Sequence, residues 1–136
     1  MTNDIEYIAY SGDAFTIELY FDEKHHSEAL EYYNGLSAHE RIQLLKLFKR
    51  MGDAGEIQDK TKFRFEGDKI YAFKPQPDRF LCFFYEGKKI IVTNAFKKKQ
   101  PKLPVREKEN ALKKRELYIN RVIEGDYYGQ TASIYI

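Results

Sequence analysis

Residues 62–99 constrain the fold of this chain more than any other segment. The run KFRFEGDKIYAFKPQPDRFLCFFYEGKKIIVTNAFKKK alternates short apolar stretches with turn signals, which is typical of consecutive strands. Glu66-Gly67-Asp68 and Glu86-Gly87-Lys88 are signals for tight hairpins, whereas Pro75-Gln76-Pro77-Asp78 must form a wider loop because neither proline can donate to a ladder. The segment therefore predicts four antiparallel strands, over residues 62–65, 69–73, 79–85 and 89–95.

Helical elements flank this predicted sheet. A β-rich stretch over 14–21 predicts a first strand, and Ser27 is a suitable N-cap for a short helix over 27–33. The sequence Ser37-Ala38-His39-Glu40 matches the capping box and predicts a second helix, which ends at the glycines 52 and 55. We expect these two helices to form a hairpin. Pro104 can lie in the first turn of a final basic helix that runs to residue 124.

The length and composition predict one domain over residues 1–136. A chain of 136 residues with 43% hydrophobic content can bury a core without disulfides. The predicted fold class is α+β, with a curved antiparallel β-sheet of about four to five strands, an N-terminal helical hairpin and a C-terminal basic helix. The core covers 14–124, and 125–136 form a tail whose last residues, 133–136, either add a strand to a sheet edge or fray.

The sequence also bears on the compartment. Cys82 lies in an apolar run, and a single cysteine cannot form an internal bridge, which fits a reducing cytosol. No window approaches the roughly 18 apolar residues of a membrane span, and MTNDIEYIAY lacks the order of a signal peptide. We expect a cytoplasmic protein without a membrane partner.

The formal net charge of +2 conceals an acidic front and a basic back. Residues 1–40 hold nine acidic residues and one Lys, for a net of −8, whereas residues 88–121 hold twelve Lys or Arg and three Glu, for a net of +9. This asymmetry suggests a polyanion on one face of the molecule and a basic partner on another. The alternative is that these charges only cover the solvated faces of helices.

A set of spaced positions resembles a known family. They are Lys62-Phe63-Arg64, Lys74, Asp78-Arg79-Phe80, Phe96-Lys97-Lys98 and the helical segment 111–118. Over residues 14–122 the chain resembles the RelE/HigB branch of bacterial type II toxins, and it is most similar to the phage-associated HigB-like subgroup. The resemblance implies a RelE-like fold and an mRNA endonuclease that often acts in the ribosomal A site without a cofactor. It also implies a cognate antitoxin, such as a helix-turn-helix protein encoded nearby, that silences the toxin.

Cleavage by such toxins uses the ribose 2′-OH to attack the adjacent phosphate, so cations must surround the phosphorane. Arg79 is the first candidate, because a planar guanidinium matches two phosphate oxygens; its alternative role is a salt bridge to Asp78 or Glu86. The full set of candidate catalytic residues is Arg79, Lys74, Lys62, Lys97 and Lys98, with Lys62 and Arg64 on one face of their strand. Candidate RNA-binding residues are Arg64, Phe96, Lys99, Lys102, Lys113 and Lys114. No CxxC, HExxH or His-carboxylate pattern offers metal ligands.

The resemblance does not assign the groups that move protons, because the His or Tyr that several relatives place near the end of the last strand is missing. His25, His26 and His39 precede the predicted sheet, and we expect them on the helix surface. The base is then a Lys whose pKa is lowered by neighbouring cations, or Tyr71 or Tyr85 if either faces the basic rim. A further possibility is that the cations and the positioning of the RNA by the ribosome supply most of the rate.

Three functions remain open from the sequence. The first is a toxin that cleaves translated mRNA, with mRNA, the ribosome and an antitoxin as partners. The second is a non-catalytic member of the superfamily that binds nucleic acid or an antitoxin. The third is a ParE-like toxin that acts on DNA gyrase and needs no phosphate site.

Overall fold

The computed structural model of the chain describes residues 5–128. These residues form six strands and three helices, so the predicted α+β class is confirmed. In chain order the elements are β1 (Ile8–Ser11), β2 (Thr16–Leu19), α1 (Glu28–Asn34), α2 (Ala38–Ala54), β3 (Phe63–Phe65), β4 (Tyr71–Phe73), β5 (Asp78–Tyr85), β6 (Lys89–Lys97) and α3 (Val105–Glu124).

All six strands belong to one mixed sheet with the order β1-β2-β6-β5-β4-β3. The predicted antiparallel sheet of about four to five strands is therefore wrong in strand count and in one pairing. β2 and β6 run parallel, and a parallel pair between segments so distant in the chain leaves no hairpin signal in the sequence. β1 was missed because it is a short edge strand of four residues whose first and last side chains are exposed.

The sheet separates two layers of helix. On β5, Phe80 and Cys82 pack in the cluster that includes residues of α1 and α2, whereas Leu81 and Phe83 pack with residues of α3. This alternation is the period of two expected for a strand buried on both faces. The central position predicted for this strand is confirmed, since β5 lies between β6 and β4.

The helices begin where the caps predict. The Ser27 hydroxyl accepts from the Leu30 backbone N–H, and Ser37 and Glu40 form the reciprocal bonds of the capping box. The expected hairpin is less tight than the sequence suggests, because α1 packs mainly on β6 and α2 on β1 and β2. The sheet is therefore the main partner of each helix.

The core extends past residue 124. Tyr127 is only 2% exposed, and its hydroxyl accepts from the Phe21 backbone N–H at 3.0 Å. Tyr128 donates to the buried Glu18 carboxylate at 2.7 Å. The predicted strand over 133–136 lies outside the described residues. Within residues 5–128 no helix is both long enough and apolar enough to cross a membrane.

The turn between β1 and β2 lies against the last turn of α2. The backbone N–H groups of Ala14 and Phe15 donate to the Gly52 carbonyl at 2.8 and 3.0 Å. A Cβ atom added to Gly12 would lie 2.2 Å from the Gly52 carbonyl carbon, a separation that real Cβ atoms do not reach. The turn can approach the Gly52 carbonyl this closely only because Gly12 carries no Cβ atom.

We expect Gly12→Ala to lower the free energy of unfolding by about 1 to 3 kcal/mol, because the new methyl group must displace backbone atoms. Urea titration followed by circular dichroism measures this change. The matched control is Gly35→Ala, where φ is −84° and the nearest atom to an added Cβ is 3.5 Å away. Equal stability of the two variants would contradict the close approach.

Candidate functional site

A cleft of about 210 Å³ opens on the α3 side of the sheet, at the end where β4 and β6 finish and β5 begins. The charged residues of its lining lie on or directly after β3, β4 and β5, and in the segment between β6 and α3. The lining residues are Arg64, Glu66, Lys74, Arg79, Phe96, Lys98, Gln100, Pro101, Lys102 and Leu103. Six of the predicted site residues therefore meet in one place.

Strand register explains how distant residues meet there. Arg64 pairs with Ala72, and Arg79 pairs with Phe96 across β5 and β6. Because side chains alternate along a strand, Arg64, Lys74, Arg79, Phe96 and Lys98 all project from the α3 face of the sheet. Strand pairing, rather than nearness in the sequence, therefore brings the residues of the cleft together.

The outer wall of the cleft is the segment 100–103, which is held at both ends. The Lys98 backbone N–H donates to the Pro77 carbonyl at 3.0 Å. Asn94 lies beside a bulge in the β5–β6 pairing, and its amide donates to the Glu107 carbonyl at 3.2 Å and to the Glu107 carboxylate at 3.1 Å. These bonds fix the start of α3 and the segment before it.

Arg79 is the most constrained cation of the cleft. Its side chain is 5% exposed, and Nη1 donates to the Asp78 carbonyl at 2.9 Å and to Gln76 Oε1 at 3.3 Å. Burial lowers the pKa of its guanidinium, against the opposing charges of Glu66 and Asp78. Neither of the predicted salt bridges, to Asp78 or to Glu86, occurs in the described part of the chain.

Lys74 is a buried lysine without a carboxylate partner among residues 5–128. Its side chain is 8% exposed, and Nζ donates to the Lys60 carbonyl at 3.1 Å. The pKa of Lys74 is lowered, first by burial and then by the positive charges of Arg79 and Arg64. Burial contributes more to this lowering of the pKa than the neighbouring cations do.

The rest of the cleft is open and positive. Arg64, Lys98 and Lys102 are exposed, and within the described residues none of them forms a salt bridge. Glu66 is the single carboxylate among the lining residues, and the sequence analysis missed it. Its position two residues after Arg64, directly after the end of β3, is the signal that would have found it.

Four predicted residues lie elsewhere. Lys97 and Lys99 line a separate pocket beside Tyr32. Lys113 is exposed on α3, and Lys114 is bound to the Glu28 carboxylate at 3.2 Å. The structure therefore does not bring these lysines to the cleft.

Lys62 also lies away from the cleft, so the expectation that it shares a face with Arg64 is wrong. β3 begins only at Phe63, and the Lys62 backbone N–H closes a turn with the Asp59 carbonyl at 2.9 Å. The side chain of Lys62 instead lines a groove beside α2.

The alternative proton-transfer groups are not in the cleft either. Tyr71 stacks on Phe63 on the opposite face of the sheet, and Tyr85 packs on Tyr118 at the far end of β5. His25, His26 and His39 are all exposed, as predicted, although the first two precede α1 in a turn. The cleft lining holds no imidazole.

Behind the cleft lies the carboxylate of Asp78, which the sequence suggested as a salt-bridge partner of Arg79. Asp78 is 2% exposed, and its Oδ1 accepts from the Tyr32 hydroxyl, while its Oδ2 has no partner among the described residues. Burial and the contact with Asp78 raise the pKa of Tyr32. The pair anchors the start of β5 to α1, on the side of the sheet opposite to Arg79.

Clusters of three or more His, Cys, Asp or Glu side chains that could hold a metal ion are absent from residues 5–128. A search of the curated proteins finds no match to the chain. Residues 31–116 match the model of the family described as phage-derived protein Gp49-like (DUF891), and this range includes α2, all of β3 to β6 and the first half of α3. The chain therefore belongs to the Gp49-like family, a family of RelE/HigB-like toxins associated with toxin–antitoxin systems.

Proposed function

We propose that this protein is the toxin of a type II toxin–antitoxin system, of the phage-associated HigB-like subgroup, and that it cleaves mRNA. The reaction is metal-independent and takes place on translated mRNA at the ribosome, in the cytoplasm. Family membership supports the toxin role. The observation that carries the activity is the pair Lys74 and Arg79, two buried cations that open into one cleft without a carboxylate partner in the described chain.

Buried charges without a counter-ion are unfavourable, because the cation loses its hydration and gains no compensating partner. Within residues 5–128, the direct hydrogen-bond partners of the Arg79 and Lys74 side chains are neutral oxygens, from Gln76 and from two backbone carbonyls, and the Glu66 carboxylate in the same cleft forms no salt bridge with either. A phosphate group that entered the cleft would supply the missing negative charge and accept charge-assisted hydrogen bonds. The cleft is therefore suited to a phosphodiester.

The cleft residues can be assigned roles in attack by a ribose 2′-OH. Arg79 binds the two non-bridging oxygens of the scissile phosphate and stabilises the charge that develops there. While Arg79 keeps its charge, Lys74 acts in its deprotonated form, which its lowered pKa favours. Its amine takes the proton of the 2′-OH, the 2′ oxygen bonds to phosphorus, and the 5′ oxygen leaves. The departing 5′ oxygen takes a proton from solvent, and Glu66 is the single carboxylate of the cleft lining.

The remaining lining residues suit the RNA on either side of the cut. Phe96 is half-buried in the wall and offers a ring on which a base can stack. Arg64, Lys98 and Lys102 are exposed cations that can bind flanking phosphates. Lys97 and Lys99, on the adjacent pocket, would bind RNA that leaves the cleft along β6.

The lack of an imidazole in the cleft lining favours a second candidate, a member that binds nucleic acid without cutting it. That protein would keep RNA binding and lose cleavage. A ParE-like toxin directed at gyrase would instead be indifferent to charge reversal at Arg79. The partners in the main proposal are mRNA, the ribosome and a helix-turn-helix antitoxin encoded nearby.

Production of the protein alone in a bacterium is expected to stop growth through translation. New RNA 5′ ends should appear within reading frames soon after induction, because cleavage acts on messages that are being translated. Pulse labelling and mapping of 5′ ends measure both effects. If DNA synthesis stopped first while protein synthesis continued, the gyrase-directed function would replace this one.

We expect Arg79→Ala to reduce single-turnover cleavage about 100- to 1000-fold, because it removes a preorganised charge from the transition state. The rate is measured by primer extension on translating ribosomes with saturating protein. Lys113→Ala is the control, since Lys113 is exposed on α3 and outside the cleft. It should weaken binding modestly and leave the cut unchanged.

Thermal unfolding must show that Arg79→Ala remains folded, which we expect because the side chain makes no salt bridge among residues 5–128. Full activity in a folded Arg79→Ala protein, or equal losses in Arg79→Ala and Lys113→Ala, would remove Arg79 from the active site.

The lowered pKa of Lys74 predicts the pH dependence of cleavage. The base must be neutral, so the rate at limiting RNA should rise with pH and level off below the ordinary lysine pKa of about 10.4. Lys74→Arg should abolish the rise, because a guanidinium stays protonated throughout this range. Rates are measured against RNA incubated without protein at each pH.

Lys98→Arg is the matched control, because it makes the same substitution at an exposed lysine of the same cleft. It should keep the rise with pH. An unchanged pH profile in Lys74→Arg would show that another group is the base.

A further inference from the structure

We infer that the groove beside α2 is a second RNA-binding surface, which takes up the strand after it leaves the cleft. The groove has a volume of about 840 Å³ and lies between α2, the segment 57–62 and the loop at Pro75 and Gln76. The inference rests on the proposed function, because it requires that the cleft hold a phosphate of the same strand. It gives Lys62 a role in RNA binding rather than in catalysis.

One stripe of α2 forms the floor of the groove. His39, Gln43, Lys46 and Arg50 follow one another at intervals of four, three and four residues, which places them on one side of a helix. Lys46 and Arg50 are exposed. The opposite face of α2 is the one that packs on the sheet, through Leu44, Phe48 and Met51.

The groove carries more positive than negative charge. Its lining contains Lys46, Arg50 and Lys62 against the single carboxylate of Asp59. None of these three cations takes part in a salt bridge within the described chain. The Asp59 carboxylate is already engaged, since its Oδ1 accepts from the Thr61 N–H at 2.9 Å and from the Thr61 hydroxyl at 2.6 Å.

Gln76 joins the groove to the cleft. It lines the groove, its Nε2 donates to the Thr61 carbonyl at 3.2 Å, and its Oε1 accepts from Arg79 Nη1 at 3.3 Å. Lys74 makes a similar link to the Lys60 carbonyl from the cleft side. The barrier between the two sites is therefore a thin wall, and a chain bound at Arg79 can continue over Gln76 toward Lys62.

A flexible polyanion with hydrogen-bonding bases fits this groove better than an acidic protein. Positive grooves that track a sugar-phosphate backbone are the common device for binding single strands. Three amide side chains in the lining, from Gln43, Gln58 and Gln76, can both donate to and accept from base edges. The groove is also continuous with the cleft that is proposed to bind a phosphate. A ligand that occupies both must carry a phosphate, and an acidic peptide does not.

The test measures binding of two RNA oligonucleotides that carry 2′-O-methyl groups throughout and so cannot be cut by 2′-OH attack. A trinucleotide fills the cleft only, whereas a dodecamer reaches the groove. Fluorescence anisotropy is recorded over a range of salt concentrations. The double variant Lys46→Gln, Arg50→Gln should weaken dodecamer binding about tenfold and reduce its salt slope by about 1.4, for two lost phosphate contacts. Trinucleotide binding should not change.

The control is the double variant Lys49→Gln, Lys88→Gln, which removes the same charge from positions outside the groove. It should bind both oligonucleotides as the unaltered protein does. Arg79→Ala should weaken binding of both, because both occupy the cleft. Circular dichroism checks that every variant is folded.

Dodecamer binding that the groove variant leaves intact, or equal weakening of both oligonucleotides, would overturn the inference. If the groove variant kept dodecamer binding but lost binding to a polyglutamate peptide, the groove would belong to an acidic protein partner. If both oligonucleotides bind as expected but the protein does not cleave natural mRNA, the inference about the groove stands and the proposed cleavage activity is refuted. Failure of the unaltered protein to bind either oligonucleotide would refute both.

Discussion

The pairing of β5 with β6 is the interaction on which the rest of the molecule depends. It runs from Asp78 opposite Lys97 to Tyr85 opposite Lys89, and both strands are buried along most of their length. From one layer α1 packs on β6, and from the other α3 packs on both strands; Arg79 faces the cleft because of its register with Phe96. A shift of one residue would turn Arg79 toward α1 and remove it from the cleft.

Local signals in the sequence were sufficient for most of the fold. The hairpin turns, the capping box and Pro104 predicted β3 to β6, α2 and α3 with small errors at their ends. β1 and the parallel pairing of β2 with β6 could not be found in this way, because they depend on contacts between segments far apart in the chain. Sequence patterns therefore missed the strand pairings between distant segments of the chain.

The residues of the candidate site were also predicted only in part. Arg79, Lys74 and Phe96 were found from the positions that carry the family resemblance, and strand alternation places them together. Lys62 was misplaced because a turn at Asp59 ends just before β3, which reverses the direction expected for its side chain. Whether any of these residues takes part in cleavage remains a prediction.

The distribution of charge has a structural explanation. Some acidic residues of the first 40 are bound to cations of the basic C-terminal half, as in the pairs Glu28–Lys114 and Glu18–Lys89. The cations of the cleft have no such partners within residues 5–128. The fold therefore neutralises basic residues that support the helices and leaves positive charge at the end of the sheet.

The cations Lys74 and Arg79, which form no salt bridge within residues 5–128, also affect the stability of the folded protein. Replacing a buried, uncompensated cation with an apolar residue of similar size removes an unfavourable charge from the folded protein. Sites shaped for activity are often kept at the expense of stability. If cleavage depends on these two residues as proposed, substitutions there that abolish it would leave a chain that still folds. Loss of activity and loss of folding would then be separate events in this protein.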